Sequence, residues 1–152
     1  NFSTFYIAQF LLLLLEVEKI TANSPRSRQK DVRRRARKFG HKAVRNTRAV
    51  AYDRTEAYRL MGVYFWIVDK QRKALKWWDK SLKEAQRLKT PIDLSRTYLE
   101  IGKRLLEKKS RYTGLNGIDG KQYLDKAEKL FQEHSLTWDL EQLKKLKMIR
   151  GI

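Results

Sequence analysis

Only two prolines occur in 152 residues, and each stands directly behind a side chain able to cap a helix: Ser24-Pro25 and Thr90-Pro91. Proline is tolerated at the first helical position, where its missing N–H costs no bond, and it kinks or breaks a helix anywhere further in. The chain therefore reads as helices restarted at 25 and 91, with nothing between to interrupt a helical backbone by proline. Glycine is nearly as scarce, at seven residues. So few turn formers cannot serve the many tight connections of a β-sandwich or barrel. An all-α fold is the expectation, and six Phe, seven Tyr and four Trp supply enough apolar bulk to offset the chain entropy of a domain this size.

The remaining stops and starts divide the chain further. Helices are expected over about 2–22, 25–46, 53–68, 71–88, 91–108, 120–134 and 137–149. Ser24, Asp53, Thr90 and Thr137 are the expected caps, and Asp93 lies in a first turn where the helix dipole favours an anion. Residues 110–120 hold Gly114, Gly117, Gly120 and an Asn-Gly pair, and read as a loop.

The apolar start, Phe2 to Val17, is too short for a membrane span of roughly 20 apolar residues, because Glu16, Glu18 and Lys19 arrive too early. It also lacks the basic lead and the small-residue cleavage site of a signal peptide. A helix apolar on most of its surface is normally buried. One face is expected to lie against its own domain, the other against further sequence or a second copy of the chain. The chain opens on Asn1 rather than Met, and is read as a piece of a longer chain, cytoplasmic in location.

Two segments then align 40 residues apart. Ala57-Tyr58-Arg59-Leu60-Met61-Gly62-Val63-Tyr64-Phe65 matches Thr97-Tyr98-Leu99-Glu100-Ile101-Gly102-Lys103-Arg104-Leu105. Each is followed by a helix with a small residue and an aromatic four later, Ala74 with Trp78 and Ala127 with Phe131. The pattern resembles the tetratricopeptide repeat, in which Gly and Ala let two antiparallel helices approach closely. A degenerate first unit would place Ile7, Ala8 and Leu11 on one helix and Ala36, Gly40 and Ala43 on the next. The resemblance implies an α-solenoid of about three helix pairs, over 2–46, 53–88 and 91–134, with a C-terminal capping helix at 137–149; an irregular helical bundle is the alternative. Arg72 to Leu82, Arg96 to Leu106, Lys126 to Phe131 and Trp138 to Glu141 are also similar to the repeat tails of large bacterial signalling proteins that join a purine cyclase or kinase to an NTPase domain. On that likeness, any catalytic domain would lie outside this sequence.

No enzyme chemistry is legible. Without cysteine there is no disulfide framework, thiolate metal site or thiol nucleophile. Two histidines, His41 and His134, are too few for an all-His metal site and read as exposed or helix-end residues. Gly114, Gly117 and Gly120 before Lys121 lack the spacing and the Ser/Thr of a phosphate loop, since Gln122 follows the lysine. Neither a cofactor nor a metal is expected.

Charge gives the sharper lead. Lys and Arg total 35 against 17 Asp and Glu, a formal net charge of +18. Eleven of the basic residues fall between Arg26 and Arg48, with Asp31 the one acid among them. Arg33, Arg34, Arg37 and Lys38 form the centre of this basic patch. It suits a solvated face, an acidic protein surface or, third, nucleic acid, for which no reading motif is present. The repeat register implies a second surface, a concave groove lined by Arg59, Val63, Trp66, Arg96, Leu99 and Lys103, with Glu56 beside them. Its cations could hold the carboxylates of an extended acidic peptide. The expected function is a non-enzymatic protein-interaction or interdomain scaffold module whose partners are an acidic peptide, a protein surface or neighbouring domains; the alternative is a basic helical nucleic-acid-binding module.

Overall fold

The computed structural model describes residues 2–152. Seven helices follow one another: α1 (Phe2–Lys19), α2 (Arg26–Asn46), α3 (Ala51–Ile67), α4 (Gln71–Leu88), α5 (Pro91–Leu105), α6 (Gly120–Glu133) and α7 (Thr137–Arg150). A 3₁₀ turn at Thr47–Ala49 precedes α3. Two strands of two residues each, β1 (Gly114–Leu115) and β2 (Ile118–Asp119), stand before α6. The fold is all-α apart from this minimal hairpin. The chain forms two compact units that meet in sequence within α4, one up to Glu84 and one from Ala85.

In the first unit α1 buries Ser3, Ile7, Phe10, Leu14 and Val17 at helical spacing, and packs along α2 and α3. Its other side leaves Phe2, Phe5, Leu11, Leu12 and Leu15 exposed. No helix among the described residues is long and apolar enough to cross a membrane. α2 turns only Val32, Ala36, Gly40 and Ala43 inward. These are mostly small, so the helix lies close to its neighbours: a Cβ at Gly40 would come within 2.8 Å of Cζ of Phe10. α3 is the central element, buried continuously from Leu60 to Trp66. Ala74, Leu75, Trp78 and Leu82 form the apolar stripe of α4. Trp78 closes over Gly62 and donates its indole N–H to the carbonyl of Arg59 at 3.1 Å.

The second unit has its own core of Leu124, Ala127, Phe131 and Leu143, flanked by Tyr98, Leu99, Leu106, Leu136, Leu140 and Leu146. α5 and α6 pack closely here: a Cβ at Gly102 would lie 2.8 Å from the carbonyl oxygen of Gly120 and from Leu124.

Helix positions agree with the sequence signals; the reasons for several helix ends do not. Ser24 does not cap α2. Its hydroxyl accepts from the N–H of Thr21, and Pro25 sits one position before the helix rather than inside it. Thr90 precedes α5, with Pro91 in its first turn, but the hydroxyl points back to donate to the carbonyl of Ala85. Asp53 falls within the first turn of α3 and accepts a hydrogen bond from Ser3 of α1. Leu136, not Thr137, holds the N-cap of α7. α1 stops at Lys19 and α5 at Leu105, three residues short of the expected ends in both cases.

The segment read as a plain loop is a hairpin. Asn116 and Gly117 both adopt positive φ, 55° and 77°, as a type I′ turn requires, and this turn matches the twist of paired strands. Gly114 faces Asp119 and Leu115 faces Ile118. Tyr123 of α6 ties the hairpin down, donating its hydroxyl to the carbonyl of Leu115 at 2.8 Å. Asp119 and Gln122 form a reciprocal capping box at the start of α6, so the residue that disqualified a phosphate loop serves to begin a helix.

Candidate functional site

The residues expected to line a concave groove are divided between the two units, and in each unit their cations already have carboxylate partners. In the first unit Arg59 lies 3.5 Å from Glu56 one turn earlier. Val63 and Trp66 are buried, in place of the ligand-facing position expected for them; the ring of Trp66 sits 5.5 Å from that of Trp78. In the second unit Arg96 pairs with the buried carboxylate of Asp139 at 3.3 Å. Lys103 lies 3.6 Å from Glu100, and Leu99 packs against the core cluster. A cation already facing a carboxylate has less to gain from a second one.

The basic patch behaves differently. Arg34 is held by Asp31 at 3.1 Å, and Arg35 reaches both Asp31 and Glu16. Arg33, Arg37 and Lys38 have no carboxylate partner among the described residues. Arg37 continues into a cleft of about 380 Å³ within the first unit, lined by Arg37, His41, Phe65, Lys73, Lys76, Trp77 and Lys80. Five of these seven side chains are basic and none is acidic. None of the five is ion-paired among the described residues.

Helix spacing explains the convergence. Arg33, Arg37 and His41 recur every four residues, so they run along one side of α2. Lys73, Lys76 and Lys80 fall at intervals of three and four on α4, on the side away from Ala74, Trp78 and Leu82. Phe65 of α3 and Trp77 of α4 supply the apolar lining. The aromatic rings also orient the ammonium groups. Lys80 Nζ stands 4.6 Å from the centroid of the Trp77 ring and 5.9 Å from that of Tyr58, while Lys73 Nζ stands 5.5 Å from Phe65. These are cation–π distances, and they leave the face of Trp77 covered by a charge.

Two titratable groups report the local field. Partial burial, with the positive charges of Arg37 and Arg45 behind it, holds the His41 imidazole below its ordinary 6.5. Burial pushes the Tyr64 hydroxyl up, and the nearby charges of Arg37 and Arg33 pull it partly back. Arg37 acts on both groups, and it lines the cleft together with His41.

His41, Lys73, Lys76, Trp77 and Lys80 were not singled out as site residues by sequence reasoning. The lysine spacing in α4 was legible, but the approach of α2 to that lysine face depends on tertiary packing. His134 is exposed at the end of α6. Among the described residues no group of three or more His, Cys, Asp or Glu side chains is disposed to hold a metal ion. The chain matches no protein-family model, and neither a curated protein nor a solved structure shows significant similarity to it.

Proposed function

We propose that this chain is a non-enzymatic interaction module, a tetratricopeptide-like array of helix pairs, that docks an acidic surface of a protein partner on the basic side of α2. What supports the array is the recurrence of small residues at buried helix contacts: Gly62 beneath Trp78, Gly102 against Gly120 and Leu124, and the buried Ala74 and Ala127. The observation that carries the binding role is the cleft, where five basic side chains converge without a carboxylate while Arg59, Arg96 and Lys103 are paired. An array of this kind serves as a scaffold segment, holding a partner or a neighbouring domain of a larger signalling protein.

The competing reading is a nucleic-acid module. The cleft has the charge but offers no open ring for a base, since Lys80 occupies the face of Trp77, and single-strand binders depend on stacking as well as charge. The two readings separate by measurement. Binding to a fluorescent polyglutamate is expected to be lost in an Arg33→Glu, Arg37→Glu double variant and kept in Arg59→Glu, Arg96→Glu, with helical circular dichroism unchanged in both. Equal binding by both variants would reject the α2 surface. Tight binding of generic DNA or RNA at physiological salt, falling steeply as salt rises, would favour nucleic acid instead.

A further inference from the structure

We infer that the cleft between α2 and α4 takes an extended run of about four consecutive Asp or Glu residues from another protein, alternate carboxylates going to the two helices. This rests on the acidic-partner reading above and names the form of the ligand and its place. The site lies on the second helices of the expected pairs, away from the first-helix groove.

The shape of the charge makes the argument. Lys73 to Lys80 spans seven residues of α4, about 10 Å at 1.5 Å per residue. On α2, Arg37 and His41 line the facing side, and Arg33 lies one turn before Arg37 on the same side of the helix, so Arg33 to His41 covers about 12 Å on the same rise. The cleft is thus bordered by a row of three lysines on α4 and, on α2, by Arg37 with the imidazole of His41 beside it. A strand advances roughly 3.3 Å per residue and sends successive side chains to opposite sides. Three or four extended residues therefore cover the rows, with side chains i and i+2 facing one helix and i+1 and i+3 the other. A single compact anion would neutralise one end of the rows and leave the other. A helical acidic segment would present carboxylates on one side only.

The lining chemistry agrees. Arg37, Lys73, Lys76 and Lys80 are donors without acceptor capacity, so their ligand must be rich in acceptors, as ionised carboxylates are. The nearest acid on α4, Asp79, is held by Lys83 at 2.7 Å and does not line the cleft. The ammonium groups of Lys73 and Lys80 rest over aromatic rings, which limits their freedom before any ligand arrives and lowers the ordering cost of binding.

The test uses the full chain and fluorescence anisotropy at about 0.15 M salt, where charges beyond roughly 8 Å are screened. Two labelled peptides carry four glutamates each, one with the four contiguous and one with Gly-Ser pairs between them. The contiguous peptide is expected to bind more tightly. Lys73→Glu with Lys80→Glu is expected to weaken it about tenfold or more, four modest ion-pair changes acting together. Lys129→Glu with Lys144→Glu, the same change in net charge on exposed positions of the second unit, is expected to leave it nearly unchanged. A Lys73→Ala, Lys80→Ala pair, with helical content followed by circular dichroism, separates loss of binding from loss of fold. Equal affinity for the two peptides, or equal loss in the two reversal variants, overturns the two-row site while leaving a general acidic-partner role standing. No binding of either peptide by the wild type overturns both. Tighter binding of an oligothymidine than of the contiguous peptide assigns the cleft to nucleic acid.

Discussion

A methyl group added at Gly62 would run into Nε1 and Cδ1 of Trp78, and neither partner has room to yield. Trp78 is fully buried and its N–H is committed to the carbonyl of Arg59. Alanine normally gains on glycine within a helix by about 0.5–1 kcal/mol. Here the steric conflict outweighs that gain, and Gly62→Ala is expected to destabilise the first unit by about 2 kcal/mol, as overpacking of a dense core does. Urea unfolding followed by tryptophan fluorescence reads this directly; an unchanged midpoint would show that α3 and α4 can separate at little cost. His41 gives a second residue-scale expectation. Its folded-state value lies below 6.5, so as pH falls through that range the unfolded chain takes up a proton before the folded one does. Stability is then lost on acidification from about pH 7 towards the lowered value. In His41→Gln the part of the decline that belongs to this group is expected to vanish, so thermal midpoints of wild type and variant should converge at neutral pH and diverge near pH 5.5.

At the scale of elements, the helix ends are where sequence and structure part company. α3, α4, α6 and α7 all finish with a residue in the left-handed region, followed by a bond from the next N–H back to the last turn. Lys70 N–H reaches the carbonyl of Phe65, Thr90 that of Ala85, Leu136 that of Phe131 and Ile152 that of Lys147. Only α7 places glycine there, Gly151; the others use Asp69, Lys89 and Ser135, with φ between 52° and 62°. Glycine is the strong sequence signal for this stop, and three of the four stops do without it. That is why helix positions were legible from the apolar periodicity of α4 and α6 while the causes of their endings were not. The same observation yields a prediction. Non-glycine residues in the left-handed region carry a conformational cost of roughly 1 kcal/mol, so Lys89→Gly and Ser135→Gly are each expected to raise stability by up to about 1 kcal/mol. A fall in the denaturation midpoint would mean that the side chain contributes more than its strained backbone costs. The site was legible to a similar degree. Gly62, Ala74, Gly102 and Ala127 could be picked out because close helix contacts impose a spacing on sequence. Charge density marked Arg33 and Arg37. The Glu56–Arg59 pair, three residues apart on one helix, was open to sequence reasoning, but nothing local could tell that Arg96 would be engaged by Asp139, 43 positions away.

For the molecule as a whole, a formal charge of +18 on 152 residues sets repulsion against a fold held mainly by apolar burial. The acids cannot relieve it, because 17 carboxylates face 35 Lys and Arg and several carboxylates already serve more than one cation. Asp31 alone meets Arg34 and Arg35, and Glu100 meets Lys103 and Arg104. Folding gathers the unmatched charges of α2 and α4 around one cleft, whereas the unfolded chain lets them spread. Raising sodium chloride from about 0.01 M to about 0.15 M shortens the screening length from roughly 30 Å to 8 Å. Screening relieves repulsion in the compact state more than in the expanded one. The thermal midpoint is therefore expected to rise by a few degrees over that range, and the rise should shrink in Lys73→Glu with Lys80→Glu, where part of the repulsion is replaced by attraction. Differential scanning calorimetry of the two proteins across the salt series measures both slopes. A midpoint that falls with salt would show that the ion pairs on the surface outweigh the crowding of cations, and the cleft would lose its standing as the place where this chain is short of negative charge.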